Sequence, residues 1–399
     1  MTNHFNLLKN KDFFRLYLSG SVSEFGSLVT ETAIMLLLFN LSGNNNSYLG
    51  LSRGVFLVFI TFGSLLGGPI GELPHKKITL IICELTRLIA IFLLIFTQSI
   101  TIILIINATI AFFTGIFNPT RQAYINLVVT KANIKQANSL YGTTLATLYL
   151  ICPFIGVLLY NHFHGIIEIS VIDACTYFFA ILILSQIKSP AKPSPKLNMA
   201  SSFKSGIKYL NERKDIQSLL INTSIRGLCI GILIPLLLPY TLNFLKLTEQ
   251  HYAYLLGSFG AGGIIGGIVS NYLGNKFKMG KIIIIIFILE SILMPVWLWS
   301  SIFIINIIFM TIWGTLVFIR IPSQLNLISN TIEQSYLSRV HSVLNLAFII
   351  PNILGSLLVM IMGNNLSAFE LLNFIAFSTL IITLLNLITS GSRKLYSSY

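Results

Sequence analysis

Charge is what this sequence has least of: Asp, Glu, Lys and Arg together make up 10% of its 399 residues, where a soluble domain carries about 25%. That is too few to clothe a water-exposed surface, so a soluble globular protein is excluded. Acids are scarcer still, 13 against 26 Lys and Arg. Cysteine is nearly absent, and Cys83, Cys152, Cys175 and Cys229 all fall in apolar runs without a CxxC pair. A disulfide framework or thiolate metal cluster does not follow from that spacing, and the four read as small buried apolar residues. The GxxxxGK[ST] loop is missing, which speaks against direct drive by ATP. His162 and His164 form an HxH pair in an outer loop without further ligands. With no nucleophile triad either, the chain is expected to be no enzyme and to hold no cofactor and no metal.

What the sequence has in abundance is apolar length. Hydrophobic residues make up 54% of it, and the mean hydropathy is +0.82. Twelve mostly apolar segments can be marked, at 14–39, 49–71, 78–97, 101–119, 138–160, 166–187, 218–244, 252–274, 281–300, 302–322, 340–362 and 367–388. Each is long enough to cross a hydrocarbon core about 30 Å thick. The predicted fold is an all-α membrane protein with twelve transmembrane helices. The first run follows Lys9, Lys11 and Arg15 in the manner of a secretory signal, but it is too long, contains Glu24 and Glu31 and lacks a cleavage pattern. It is expected to be a retained first span.

The net charge of +13 would suit a nucleic-acid partner, yet its placement points to topology. With the N-terminus taken as cytoplasmic, all but four of the 26 Lys and Arg fall on that side. The exceptions are Lys246 in an outer loop and Arg53, Arg87 and Arg226 inside spans. So lopsided a split is the positive-inside pattern, and it predicts both termini in the cytoplasm. The expected partners are the lipid bilayer, a small-molecule substrate and protons, with no nucleic acid, and the chain is expected to act as a monomer.

Residues 188–217 read as a cytoplasmic basic linker, opening SPAKPSPK and carrying lysines through Lys214. Phe203, Ile207, Tyr209 and Leu210 among those lysines suit either a short helix on the inner headgroups or a plain tether. The linker separates an N-terminal six-helix bundle, 1–187, from a C-terminal one, 218–399. The halves echo each other. FGSLLGGPIGELPHKK (62–77) aligns Gly67 and Gly68 with Gly266 and Gly267 of GGIIGGIVSNYLGNKFK (262–278), Pro119-Thr120-Arg121-Gln122 aligns with Pro322-Ser323-Gln324-Leu325, and CPFIGVLL (152–159) with IPNILGSLL (350–358). Two pseudo-symmetric bundles of this kind suit a transporter that rocks around a central site. The recurrent glycines permit close helix approach in lipid.

Charges inside the spans are the candidate functional residues. Glu24 and Glu31 are seven residues apart, within ~20° of one helix face and ~10 Å apart along the axis. An ionised group at that depth costs on the order of 3 kcal/mol or more, so such residues line a watery cavity or meet a partner. Either acid suits proton coupling, or a hydrogen bond across helices. Asp173 and Glu290 are further acids of the same kind, relay members or buried partners of unseen donors. Arg226 in the seventh span suits an anionic substrate, or a pair with Glu24 or Glu31. Glu84 and Arg87, three apart, are expected to pair along one helix face, and Arg53 and Arg320 to snorkel from span ends. Tyr149 and Trp313 are candidate linings for a ring-bearing ligand, as are Tyr141, Trp297 and Trp299, with packing or belt roles as the alternative.

Several stretches resemble a known family. KDFFRLYLSG, SEFG and LSGNNNSYLG (11–50) and, most specifically, GIFNPTRQAYINLVVTKANIKQANSL (115–140) are similar to the major facilitator superfamily branch of enterobactin exporters and macrolide efflux proteins. The resemblance implies the major facilitator fold and leans toward export. It implies a cytoplasmic gate at Gly68, Glu72, Lys76, Lys77, Pro119 and Arg121, with Glu72 in the acid's place and Lys76 and Lys77 in the basic places. Glu for the usual Asp, Leu73 for the usual Arg, and Pro74-His75 depart from that loop. An antiporter kink is implied at Pro153 and Gly156, with Cys152 where the motif has its first glycine. The fourth span lacks the interior arginine of many drug/proton antiporters. The function so implied is proton-coupled export of a siderophore or amphipathic drug-like molecule across the bacterial inner membrane by alternating access. An importer of the same fold and a non-transporting membrane receptor or assembly partner are the alternatives.

Overall fold

The computed structural model describes residues 7–72, 75–130, 133–188 and 213–397. Among them are twelve helices of 19 to 31 residues and a short one at the end. These are α1 (Lys11–Leu41), α2 (Asn46–Glu72), α3 (Lys76–Leu94), α4 (Ile100–Val128), α5 (Ile134–Phe163) and α6 (Ile167–Ser185). After the linker come α7 (Lys214–Pro239), α8 (Glu249–Lys276), α9 (Met279–Leu298), α10 (Phe303–Thr331), α11 (Gln334–Met362), α12 (Ala368–Ile388) and α13 (Ser390–Ser397). Eleven are long and apolar enough to cross a membrane. The remaining long one, α3, carries Lys76, Lys77, Glu84 and Arg87 in 19 residues, and those charges lower its hydropathy. The expected helix along the linker, with Phe203, Ile207, Tyr209 and Leu210, lies outside the described residues.

The helix starts and stops have local causes. Asn10 caps α1 by accepting from the backbone N–H of Asp12 and Phe13, satisfying donors that a first turn leaves open. Ser367 and Glu370 form a reciprocal capping box at α12. Pro239 has no N–H to give, and the chain after α7 widens into a π-helical turn, Tyr240–Phe244. Two helices outrun the expected spans: α4 and α10 continue nine residues past 119 and 322, with Pro119 and Pro322 inside them. The sequence beyond each proline is polar but helix-compatible, so hydropathy stops where the helix does not.

The described residues form two compact units, 7–44 with 54–188 and 45–53 with 213–397. In the first, Phe13, Leu16, Leu80, Phe117 and Tyr124 form a buried core. In the second, Ile283, Phe287, Leu327 and Val340 do so, and Leu395 pins α13 to them. Each unit is stitched by glycines against backbone. A Cβ at Gly63 would fall on the Phe112 carbonyl of α4, and one at Gly262 on the Thr311 carbonyl of α10. Gly156 of α5 sits on the Val29 carbonyl of α1, and Gly355 of α11 on the Leu228 carbonyl of α7. Every member of these pairs stands 199 residues from its counterpart, as Gly67 does from Gly266. The duplication is therefore in register through its packing.

That register corrects one expected equivalence. Gly67 meets Pro119 where Gly266 meets Phe318, so Pro119 and Pro322 are one helical turn out of step. Cys175 also departs from expectation: it is exposed, whereas Cys83, Cys152 and Cys229 are buried.

Candidate functional site

In the first unit the stretch SEFG on α1 is the hub. Ser23 donates to Glu84 Oε2 at 3.0 Å, and Glu84 Oε1 pairs with Arg87 Nη2 at 2.9 Å, both side chains fully buried. The Arg87 guanidinium lies 4.6 Å from the Phe117 ring centre and 4.9 Å from that of Tyr177. Tyr177 in turn hydrogen-bonds Ser27 at 2.9 Å. Gly26 permits all this, since a Cβ there would strike Asp173 and Thr176 of α6. Glu84 and Arg87 thus pair as their spacing predicts.

Glu24, 4% exposed, accepts from the Tyr149 hydroxyl of α5 at 3.3 Å. Among the described residues it has no ion-pair partner. Asp173 is buried and accepts from Thr176 at 3.1 Å, again without a cation. Glu31, on the same helix face, is half-buried. Neutralising Glu24 or Asp173 would therefore break no ion pair, which separates them chemically from Glu84.

The second unit gathers residues from α7, α9 and α10. Glu290 sits between two arginines, with Oε2 2.9 Å from Arg226 Nε and Oε1 3.0 Å from Arg320 Nε. Arg226 also donates through Nη2 to the Phe287 carbonyl and Ser291 Oγ. Arg226 therefore has an acid partner within its own unit. Arg320 does not snorkel: it is 7% exposed, and the longer α10 carries it well inside the helix. Arg226, Glu290, Arg320 and Trp313 line one small open pocket. So the structure joins two expected substrate residues with an acid expected to couple protons. Tyr149 belongs to the Glu24 contact in the other unit.

The residues of the implied gate are engaged inside the first unit. Lys77 Nζ donates to the carbonyls of Ser185 and Ile187 at 2.6 and 2.9 Å, capping the end of α6. Lys76 is buried and Gly68 half-buried, and the Pro119 ring lies against Gly67. Arg121 hydrogen-bonds the Tyr141 hydroxyl and covers that ring at 3.7 Å. Glu72 ends α2, and its side chain lies outside the described residues, as do Leu73 and Pro74. Pro153 is inside α5, one turn before the Gly156 contact with α1.

Arg320 was the residue that sequence reasoning placed wrongly. Its signal was present: in the 199-residue register it is the counterpart of Arg121. The Arg121–Tyr141 contact had no such signal, because an arginine at a span end reads as a topology charge.

A protein-family model, described as the Major Facilitator Superfamily, matches residues 17–389. The uncharacterized MFS-type transporters YfmI and YkuC of Bacillus subtilis (strain 168) are 22% and 21% identical over 289 and 294 residues, covering 67% and 68% of this chain and 69% and 67% of theirs. Among solved structures, a D-xylose-proton symporter superposes with a TM-score of 0.72 at 12% identity, over 98% of this chain and 99% of its own. The nucleoside transporter NupG does so with a TM-score of 0.70 at 11% identity, over 97% and 99%. The fold is shared with these membrane transporters, and with a family match over nearly its whole length the chain belongs to the Major Facilitator Superfamily.

Proposed function

We propose that the protein is a proton-coupled secondary active transporter that exports a small amphipathic molecule, a siderophore or drug-like compound, by alternating access. The observation that carries this reading is Glu24. It is an acid buried within a membrane span, held by a neutral tyrosine and not by a cation. Such a group is free to take and give a proton without dismantling an ion pair, which is what coupling demands. Asp173 is its second-ranked companion on the same ground, whereas Glu84 and Glu290 are committed to arginines. The resemblance of residues 115–140 to exporters supports the outward direction, and the positive-inside distribution supports an inner-membrane protein with cytoplasmic termini.

Everted inner-membrane vesicles energised by respiration test it. A catechol siderophore, a carboxylate siderophore and a macrolide are added in turn while lumenal acidity is followed with a fluorescent amine. At least one is expected to dissipate the proton gradient and accumulate inside vesicles that carry the protein. Glu24→Gln is expected to abolish both effects while leaving the protein folded. Full proton flux in that variant, or none with any compound, refutes the proposal.

A further inference from the structure

The pocket of the second unit holds more positive charge than its acid neutralises: Arg226 and Arg320 face the single carboxylate of Glu290. The donor supply points the same way. Arg226 spends Nε on Glu290 and Nη2 on Phe287 and Ser291. Arg320 spends Nε on Glu290 and Nη1, at 3.4 Å, on Gln324. Arg226 Nη1 and Arg320 Nη2 have no acceptor among the described residues. A guanidinium presents five N–H donors in a fixed fork, so each arginine keeps donors in hand while its side chain is less than a tenth exposed. These two nitrogens are not themselves sealed from the open pocket, and an oxyanion is the group that both engages them and cancels the surplus charge.

The surroundings specify the rest of the ligand. A second, narrow hollow shares Met294 and Trp313 with the first and is otherwise walled by Leu293, Trp297, Phe309 and Met310. Its lining is apolar apart from the Trp297 indole N–H, which is buried and has no acceptor among the described residues. Trp313 stands at the junction, braced edge-on by Phe259 with 5.5 Å between ring centres. A charged end and an oily end are thus laid out side by side.

We propose that the cargo is an amphipathic anion whose oxyanion is bound by Arg226 and Arg320 and whose apolar part lies past Trp313 in the second hollow. Glu290 is then a positioning residue that holds the two guanidiniums in place. This assignment rests on the transporter reading, but its test does not need transport. The full chain, purified in detergent, is titrated calorimetrically with 4-phenylbutyrate, the neutral 4-phenylbutanamide and the cationic 4-phenylbutylamine. The acid is expected to bind about tenfold or more tightly than the amide, and the amine not to bind. Arg320→Gln is expected to erase the preference for the acid. Trp313→Leu, outside the ion-pair network, carries the test should Arg320→Gln not fold, and in it 4-phenylbutyrate is expected to bind no better than butyrate. An amine that binds as tightly as the acid overturns the proposal, and so does unchanged 4-phenylbutyrate affinity in either folded variant. Nanodiscs of phosphatidylcholine with and without phosphatidylglycerol separate a soluble anion from a lipid headgroup, and displacement of 4-phenylbutyrate by phosphatidylglycerol overturns the cargo assignment. Selective binding of the acid with no proton flux in vesicles refutes the transport reading alone.

Discussion

Replacing Arg87 by Met removes the only cation that Glu84 pairs with among the described residues and leaves a carboxylate in a site with no measurable exposure. Breaking a buried pair from one side costs about 3–5 kcal/mol, because the surviving charge keeps its desolvation penalty and loses its partner. The guanidinium also lies over Phe117 and Tyr177, contacts worth about 1–2 kcal/mol together in a desolvated setting. The methionine stem restores part of that packing, so the expected loss for Arg87→Met is about 4 kcal/mol. For a unit of this size that lowers Tm by roughly 8–16 °C. Adding Glu84→Gln removes the stranded charge and keeps an acceptor for Ser23. The double variant is therefore expected to recover more than half of the loss, a coupling of about 2 kcal/mol or more. The assay is thermal unfolding of the detergent-purified protein, followed by helical circular dichroism for the wild type, both single variants and the double. Should the double variant cost the sum of the two singles, or Arg87→Met cost nothing, the pair is not the structural lock that its geometry implies.

The glycine stitching gives a contrast within one chain. A side chain at Gly231 meets the Asn352 backbone, whereas one at Gly142 meets nothing within 4 Å. Gly231→Leu is expected to abolish folded protein in the membrane fraction. Gly142→Ala is expected to raise stability by about 0.5–1 kcal/mol through helix propensity, read as a higher unfolding midpoint. Tyr141→Phe deletes the hydroxyl that Arg121 donates to while keeping the ring beneath it. It should cost about 1–2 kcal/mol in the same unfolding assay.

Much of the architecture was legible because membrane helices announce themselves by apolar length. The ends of α1 and α6 fall within three residues of the expected spans 14–39 and 166–187. What was not legible was polar helix beyond a span, as in α4 past Pro119 and α10 past Pro322, where hydropathy carries no information about helicity. The eight residues of α13 were missed for the same reason, since apart from Leu395 what holds them is polar, as in the Ser392 hydrogen bond to Ser218. Candidate acids and arginines were legible as types, since any charge within a span requires a reason. Their partners were not. Glu84 and Arg87 are three apart and betray their pairing, but Glu290 reaches residues 64 and 30 positions away, and no local pattern encodes that.

The shared register makes the differences between the halves informative. Arg121 and Arg320 occupy the same place in their units, yet one donates to Tyr141 and the other to Glu290. The counterpart of Tyr141 is Val340, a buried core residue. At the first helix of each unit the divergence is sharper: Thr223 stands where Glu24 does, and Ser27 where Arg226 does. A duplicated scaffold conserves packing because each glycine contact admits no side chain, so those positions stay alike for steric reasons. Charged residues inside spans are costly wherever they fall, and one that has no counterpart in the other half is not owed to the shared packing. Glu24 and Arg226 share this with Glu31, Glu84, Arg87, Asp173 and Glu290, whose counterparts are Ile230, Ile283, Ile286, Leu372 and Ile91, so the one-sided charges are what each half holds beyond the common packing.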